Sequence, residues 1–211
     1  MRKTELFMLI AVIISFVIGI YLYPQMPEQM ASHWNAQGNV DGYMPKFWGV
    51  FLMPFVFAGL AFLFIAIPRI DPLKKNIEKF RKYYDGFIIL FLIFMLLVYF
   101  QTILWNLGIE ISPNIVIPIG LGFLFFYIGI LFENAKRNWF IGIRTPWTLS
   151  SEKVWNKTHR LGSKMFKISG IVVLFGFLFQ KYATYFILIP VLFVAFYLVV
   201  YSYVEYQKEK K

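Results

Sequence analysis

The chain offers little for catalysis, and what it offers lies in two polar stretches. It has two histidines and no cysteine. Thiol nucleophiles, disulfides and thiolate metal sites are therefore excluded. His33 lies in residues 24–46, close in sequence to Glu28, Trp34, Asn35 and Asp41. An imidazole and two carboxylates are metal-ligand types, so Glu28, His33 and Asp41 could hold an ion, with Glu110 as a further donor. Their spacing matches no dedicated metal motif. The same residues could instead form a surface for a partner. A third reading is a structural cap, in which His33 and Asn35 satisfy turn backbone and Trp34 anchors at the membrane interface.

His159 lies in the second stretch, residues 133–164. No Ser, Asp or Glu is placed by spacing to complete a triad with it. No catalytic residue and no cofactor are assigned, and an enzyme is not expected. Around it the pattern is structural. Thr145 precedes Pro146 and should be extended. Ser150 is a candidate N-cap with Glu152 in the first turn, so a helix should begin at Ser151. On that helix Trp155 and His159 fall one turn apart on one face. The Arg144 guanidinium could pair with a carboxylate or stack on Trp147 or Trp155. With Arg160, these residues form either an interfacial helix resting on anionic lipid or a docking surface.

The elements that must position these stretches are membrane spans. Of 211 residues, 59% are hydrophobic and 15% charged, against about a quarter charged in soluble domains. A bilayer core of about 30 Å needs roughly 20 helical residues. Apolar segments at 6–23, 47–67, 87–107, 115–132 and 182–203 meet that requirement. A weaker one at 168–179 is flanked by Lys164, Lys167 and Lys181, which can snorkel to the interfaces. The expected fold is an all-α, polytopic membrane helix bundle of six transmembrane helices. The basic, signal-like N-terminus should be a retained first helix, because no cleavage site follows it closely.

Charge decides the orientation. All but two of the 21 basic residues fall on one side of these spans. Only Lys46 and Lys181 fall on the other. The positive-inside rule puts both termini and residues 133–164 in the cytoplasm, and residues 24–46 outside. The net charge of +10 is then membrane topology, and direct nucleic-acid binding is not expected. The chain divides into a first helical hairpin at 1–67, a basic connection at 68–85, and a four-helix region at 86–211.

The clear spans carry no ionisable residue in their middles, only Ser15, Gln101, Thr102 and Asn106. That argues against a proton pump or ion-coupled carrier. Pro54 and Pro190 can kink their helices, and Gly120, Gly122 and Gly129 can admit a close neighbour.

The run from Ile141 to Arg160 (IGIRTPWTLSSEKVWNKTHR), continued by LGSKMF to Phe166, resembles the signature of the SdpI family. The outer stretch, with Met26-Pro27-Glu28 and HWNAQG at 33–38, resembles the uncharacterised domain that often precedes it. The resemblance covers nearly the whole chain. It implies a cell-membrane immunity protein that protects against the sporulation-delaying killing-factor peptide. It also implies signalling, in which a cytoplasmic DNA-binding repressor is held at the membrane. Expected partners are thus the lipid bilayer, a peptide toxin at Glu28, His33, Trp34, Asn35 and Asp41, and a repressor or lipid at Arg144, Thr145, Pro146, Trp147, Trp155, His159 and Arg160. The rival readings are a small transporter or peptide exporter, and a membrane enzyme with an outer-loop metal site.

Overall fold

A computed structural model describes residues 2–210. The protein is an all-α polytopic bundle carrying one small sheet. Helix α1 (Lys3–Leu22) leads through a turn at Tyr23–Gln25 into strands β1 (Gln29–Trp34) and β2 (Val40–Pro45). Helices α2 (Lys46–Ile70), α3 (Lys74–Lys79), α4 (Arg81–Asn106) and α5 (Pro113–Asn134) follow. The short α6 (Pro146–Ser150), then α7 (Glu152–Leu174) and α8 (Ala183–Lys210), complete the chain.

Among the described residues, five helical segments are long and apolar enough to cross a bilayer: Lys3–Gln25, Lys46–Ile70, Arg81–Asn106, Pro113–Asn134 and Gln180–Lys210. They contain the five clear sequence segments, apart from Leu107. The weaker segment, 168–179, begins in α7 and runs past its end through a short turn at Phe175–Phe177; α7 is amphipathic and carries Lys157, Arg160, Lys164 and Lys167 ahead of that segment. Two contacts fix how α7 lies. Near its start, the Trp155 indole N–H donates to the Ala135 carbonyl, just past the end of α5, at 3.0 Å. Beyond its end, the Gln180 carbonyl accepts from the Asn114 side chain, at the start of α5, at 3.1 Å. The run from α7 to Gln180 therefore lies antiparallel to α5 along its whole length.

Glycines make that pairing close. A Cβ on Gly170 would fall 2.6 Å from the Gly122 carbonyl oxygen and the Phe126 nitrogen. One on Gly129 would fall 2.6 Å from the Ser163 carbonyl. Gly122 and Gly129 of α5 are thus the surface that admits α7, as expected of small residues between membrane helices, while Gly120 faces Phe94 of α4. Pro54, Pro118 and Pro190 are accommodated inside α2, α5 and α8.

The remaining core joins α1, α2 and α4 around Phe57, Tyr84, Ile88, Leu92 and Tyr99, all buried. The Tyr99 hydroxyl donates to the Ser15 carbonyl at 3.3 Å. The basic connection is more than a linker. Ile77 and Phe80 on and after α3 are buried, and Arg2 bonds Glu78, Arg69 bonds Glu5 and Arg81 bonds Asp85. The first two tie the N-terminal residues to α3 and to the end of α2, the third lies within α4, and Arg2 also reaches Asp85 of α4 at 4.0 Å.

Candidate functional site

At one end of the bundle the outer stretch forms an antiparallel hairpin. Its pairing runs Gln29 to Pro45, Met30 to Met44 and Ala31 to Tyr43, then shifts register to reach Trp34 and Val40. Asn35 builds the tip. Its Oδ1 accepts from the Gln37 and Asn39 amides, both at 3.0 Å, and Gly38 turns the chain at φ 86°. A glycine is favoured there because a side chain is strained at positive φ.

The bundle grips this hairpin through two amides. Asn106 at the end of α4 bonds both ways to Ala31, its Oδ1 accepting from the amide at 2.8 Å and its Nδ2 donating to the carbonyl at 3.0 Å. It acts as a one-residue strand on the hairpin edge. Asn114 donates to the Ala36 carbonyl at 3.0 Å and also holds Gln180. Met30 is fully buried against Gly49.

The predicted outer residues separate by role. His33 and Asp41 pair through Nδ1 and Oδ1 on the exposed hairpin face. Glu28 turns instead to Lys46, at 3.4 Å. The metal set of Glu28, His33 and Asp41 is therefore not assembled. Among the described residues no three His, Asp or Glu side chains come together to hold a metal. The physical reason is the strand register, which sets His33 beside Asp41 and leaves Glu28 before β1, next to the start of α2. Trp34 packs edge-to-face on Trp105, ring centroids 5.4 Å apart. Its indole N–H is buried and has no hydrogen-bond partner.

Beneath the hairpin lies a cavity of about 570 Å³, enclosed by β1, α2, α4, α5 and the start of α8. Its walls are mainly apolar, with Gln101, Thr102, Asn114 and Thr184 as polar points among the helices and Ser32, His33 and Asn35 on the hairpin side. Ligand sites commonly measure about 300–1,000 Å³ and have such walls. Gln101, Thr102 and Asn106 were visible in the sequence as the few polar residues in otherwise apolar spans. Asn114, near the start of α5, carried no such signal.

At the opposite end, residues 135–160 fold into a clasp over α5 and α8. Asn138 is fully buried and closes its first turn: Oδ1 accepts from Phe140 and Ile141, and Nδ2 donates to the carbonyls of Lys136 and Ile141. Asp71, also buried, accepts from the Trp139 amide at 2.9 Å and the Leu73 amide at 2.6 Å. Neither residue stood out in the sequence.

Thr145 is extended at φ −107°, ψ 161°, as Pro146 requires. It caps α6 by accepting from the Thr148 amide at 3.2 Å, and its hydroxyl meets Ser202 of α8 at 3.0 Å. Trp147 packs on Tyr203 of α8. The cap of α7 is Ser151 rather than Ser150: its Oγ accepts from Val154 at 3.2 Å, while Ser150 bonds back to Pro146. The extra residue is taken up because α6 ends with Ser150. Arg144 neither pairs with a carboxylate nor stacks on a tryptophan. It donates to the Trp139 carbonyl at 3.0 Å and bridges the loop.

His159 is 2% exposed and fully bonded. Nδ1 donates to the Trp155 carbonyl at 2.9 Å and Nε2 accepts from the Ile143 amide at 3.0 Å. Gly142, at φ 123°, makes room, since a Cβ there would overlap Nε2. Burial pushes the His159 pKa down to about 4, so the imidazole is neutral at physiological pH. Arg160 faces outward on α7. The clasp is tied to α8 by Lys157–Glu205 and Ser151–Glu209.

A family model described as the SdpI/YfhL protein family matches residues 134–202. A second, described as a domain of unknown function (DUF1648), matches residues 10–58. The first contains the clasp, α7 and most of α8, and the second contains the hairpin. The immunity protein SdpI of Bacillus subtilis (strain 168) is 30% identical over 210 residues, covering 99% of this chain and 97% of that protein. No solved structure matches the chain.

Proposed function

The chain belongs to the SdpI/YfhL protein family, and from that premise we propose that it protects its cell from a secreted, membrane-active peptide. The carrying observation is similarity to an immunity protein over nearly the full length of both chains. The chain is a multi-pass protein of the cell membrane, and its distribution of charge favours six spans with both termini inside.

In that orientation the hairpin is the face a secreted peptide meets. His33, Asp41 and Trp34 are its contact residues. Glu28 and Asn35 build the hairpin that presents them. Asn106 and Asn114 give that face a fixed position, which lowers the entropy cost of binding.

The cytoplasmic motif is a brace in this reading. Thr145, Trp155 and His159 are buried and bonded within the chain. Arg160 and the neighbouring lysines of α7 face anionic headgroups. No observation favours a repressor at this face, where Arg144 bonds Trp139 and Lys157 bonds Glu205.

The test is expression in cells sensitive to the sporulation-delaying killing-factor peptide. Survival under challenge is the expected result. Killing at the control dose, with the protein present in the membrane, would reject the proposal.

A further inference from the structure

The cavity under the hairpin lies at a seam. Helix α2 packs on α1, α3, α4 and the hairpin, while α8 packs on α5, α6 and α7. The two helices flank the cavity, α2 through Trp48 and Leu52 and α8 through Thr184 and Ile187. Trp48 and Leu52 are 50% and 40% exposed, so this flank is open on the side that lipid would cover.

The lining includes no Lys, Arg, Asp or Glu. A phosphate headgroup would find only the His33 imidazole, which is already paired with Asp41. The remaining polar groups of the wall, on Ser32, Asn35, Gln101, Thr102, Asn114 and Thr184, are neutral. A peptide lying in a bilayer presents the complementary set: apolar side chains, and backbone carbonyls that lipid tails cannot satisfy.

We infer that this cavity is the toxin-binding site, taking an apolar stretch of the peptide sideways from the outer leaflet, between α2 and α8, with the neutral side chains of Gln101, Thr102 and Thr184 offered to the peptide backbone. This rests on the immunity reading above. It places the bound peptide in the cavity behind the hairpin face that first meets it, and adds the route of entry and the chemistry recognised. Immunity then follows from holding the peptide inside the bundle, away from the lipid it would otherwise disrupt.

Two measurements test it, both with the full chain in membranes. Benzoylphenylalanine in place of Ile187, illuminated in the presence of the killing-factor peptide, should give a peptide adduct by mass spectrometry. The same group in place of Ile14, on the lipid-facing side of α1, should give none. Thr184→Phe, which fills the cavity, should cut the protected dose at least tenfold at equal membrane level. Leu52→Trp, which narrows the open flank between α2 and α8, should cut it severalfold, and it decides the matter if Thr184→Phe fails to accumulate. If the wild-type chain does not protect, the immunity reading fails and this inference falls with it. If the wild type protects, but Ile187 yields only lipid adducts or the variant that accumulates protects fully, this inference alone is overturned.

Discussion

Trp155 lies flat against His159, ring centroids 3.9 Å apart and planes 18° apart. The pair closes the clasp, because the indole N–H holds Ala135 and the imidazole Nε2 holds Ile143. The histidine is a neutral acceptor wedged under a loop. It has no free nitrogen with which to act as a base.

That arrangement sets a pH dependence. The folded pKa is about 4 and the ordinary value 6.5. The unfolded chain therefore binds the proton first, and acid favours unfolding. The His159 contribution is fully present above about pH 6.5 and is lost as pH falls toward 4. A shift of that size corresponds to about 3 kcal/mol. Thermal melting of the purified protein should fall over this window, and His159→Gln should flatten the fall while lowering stability at neutral pH. An unchanged pH profile in the variant would contradict the assignment.

The α5–α7 contact depends on the absence of a side chain. Gly170→Ala would push a methyl into the Gly122 carbonyl and the Phe126 backbone. Overpacking of this kind typically costs about 1–3 kcal/mol, and here backbone must move, so the upper end is expected. Gly59→Ala, with nothing within 4 Å of the added carbon, should melt like the wild type.

Asn106 is the hairpin's main tie to α4. Asn106→Leu would leave both Ala31 backbone groups without their side-chain partner, at about 1–3 kcal/mol. The hairpin should loosen while the helices stay packed. Faster proteolysis confined to residues 24–46, with helical content unchanged, is the expected readout.

The orientation can be read by labelling, because the chain has no cysteine. Gln37→Cys and Lys181→Cys should react with an impermeant maleimide on intact cells, and Ser150→Cys only after lysis. Protection of Lys181→Cys in intact cells would mean that α7 does not cross.

The sequence was most legible where the physics is one-dimensional. Apolar length picks out the five long apolar helices, and Thr145-Pro146 and the Trp155–His159 spacing give the extended residue before α6 and the shared helical face, but not that both rings turn inward. It was least legible where partners come from distant segments. The α7 segment looked marginal because its lysines dilute its apolar character, while the glycines that let it lie on α5 are 40 or so residues earlier. Asp71 and Asn138 look like ordinary loop residues until the chain brings Asp71 to Trp139. The hairpin was hidden because β1 and β2 alternate poorly and shift register between Ala31 and Trp34. The metal reading failed for the same reason: proximity in sequence put Glu28 with His33, and strand pairing put it with Lys46.

The central claim is that this chain confers immunity through its outer face. The direct measurement is a dose–survival curve for peptide-sensitive cells carrying the wild-type chain, Trp34→Ala, or no insert, at matched membrane levels. The wild type should raise the lethal dose of the killing-factor peptide at least tenfold, and Trp34→Ala should lose most of that gain. A wild-type curve that overlays the empty control would contradict the claim.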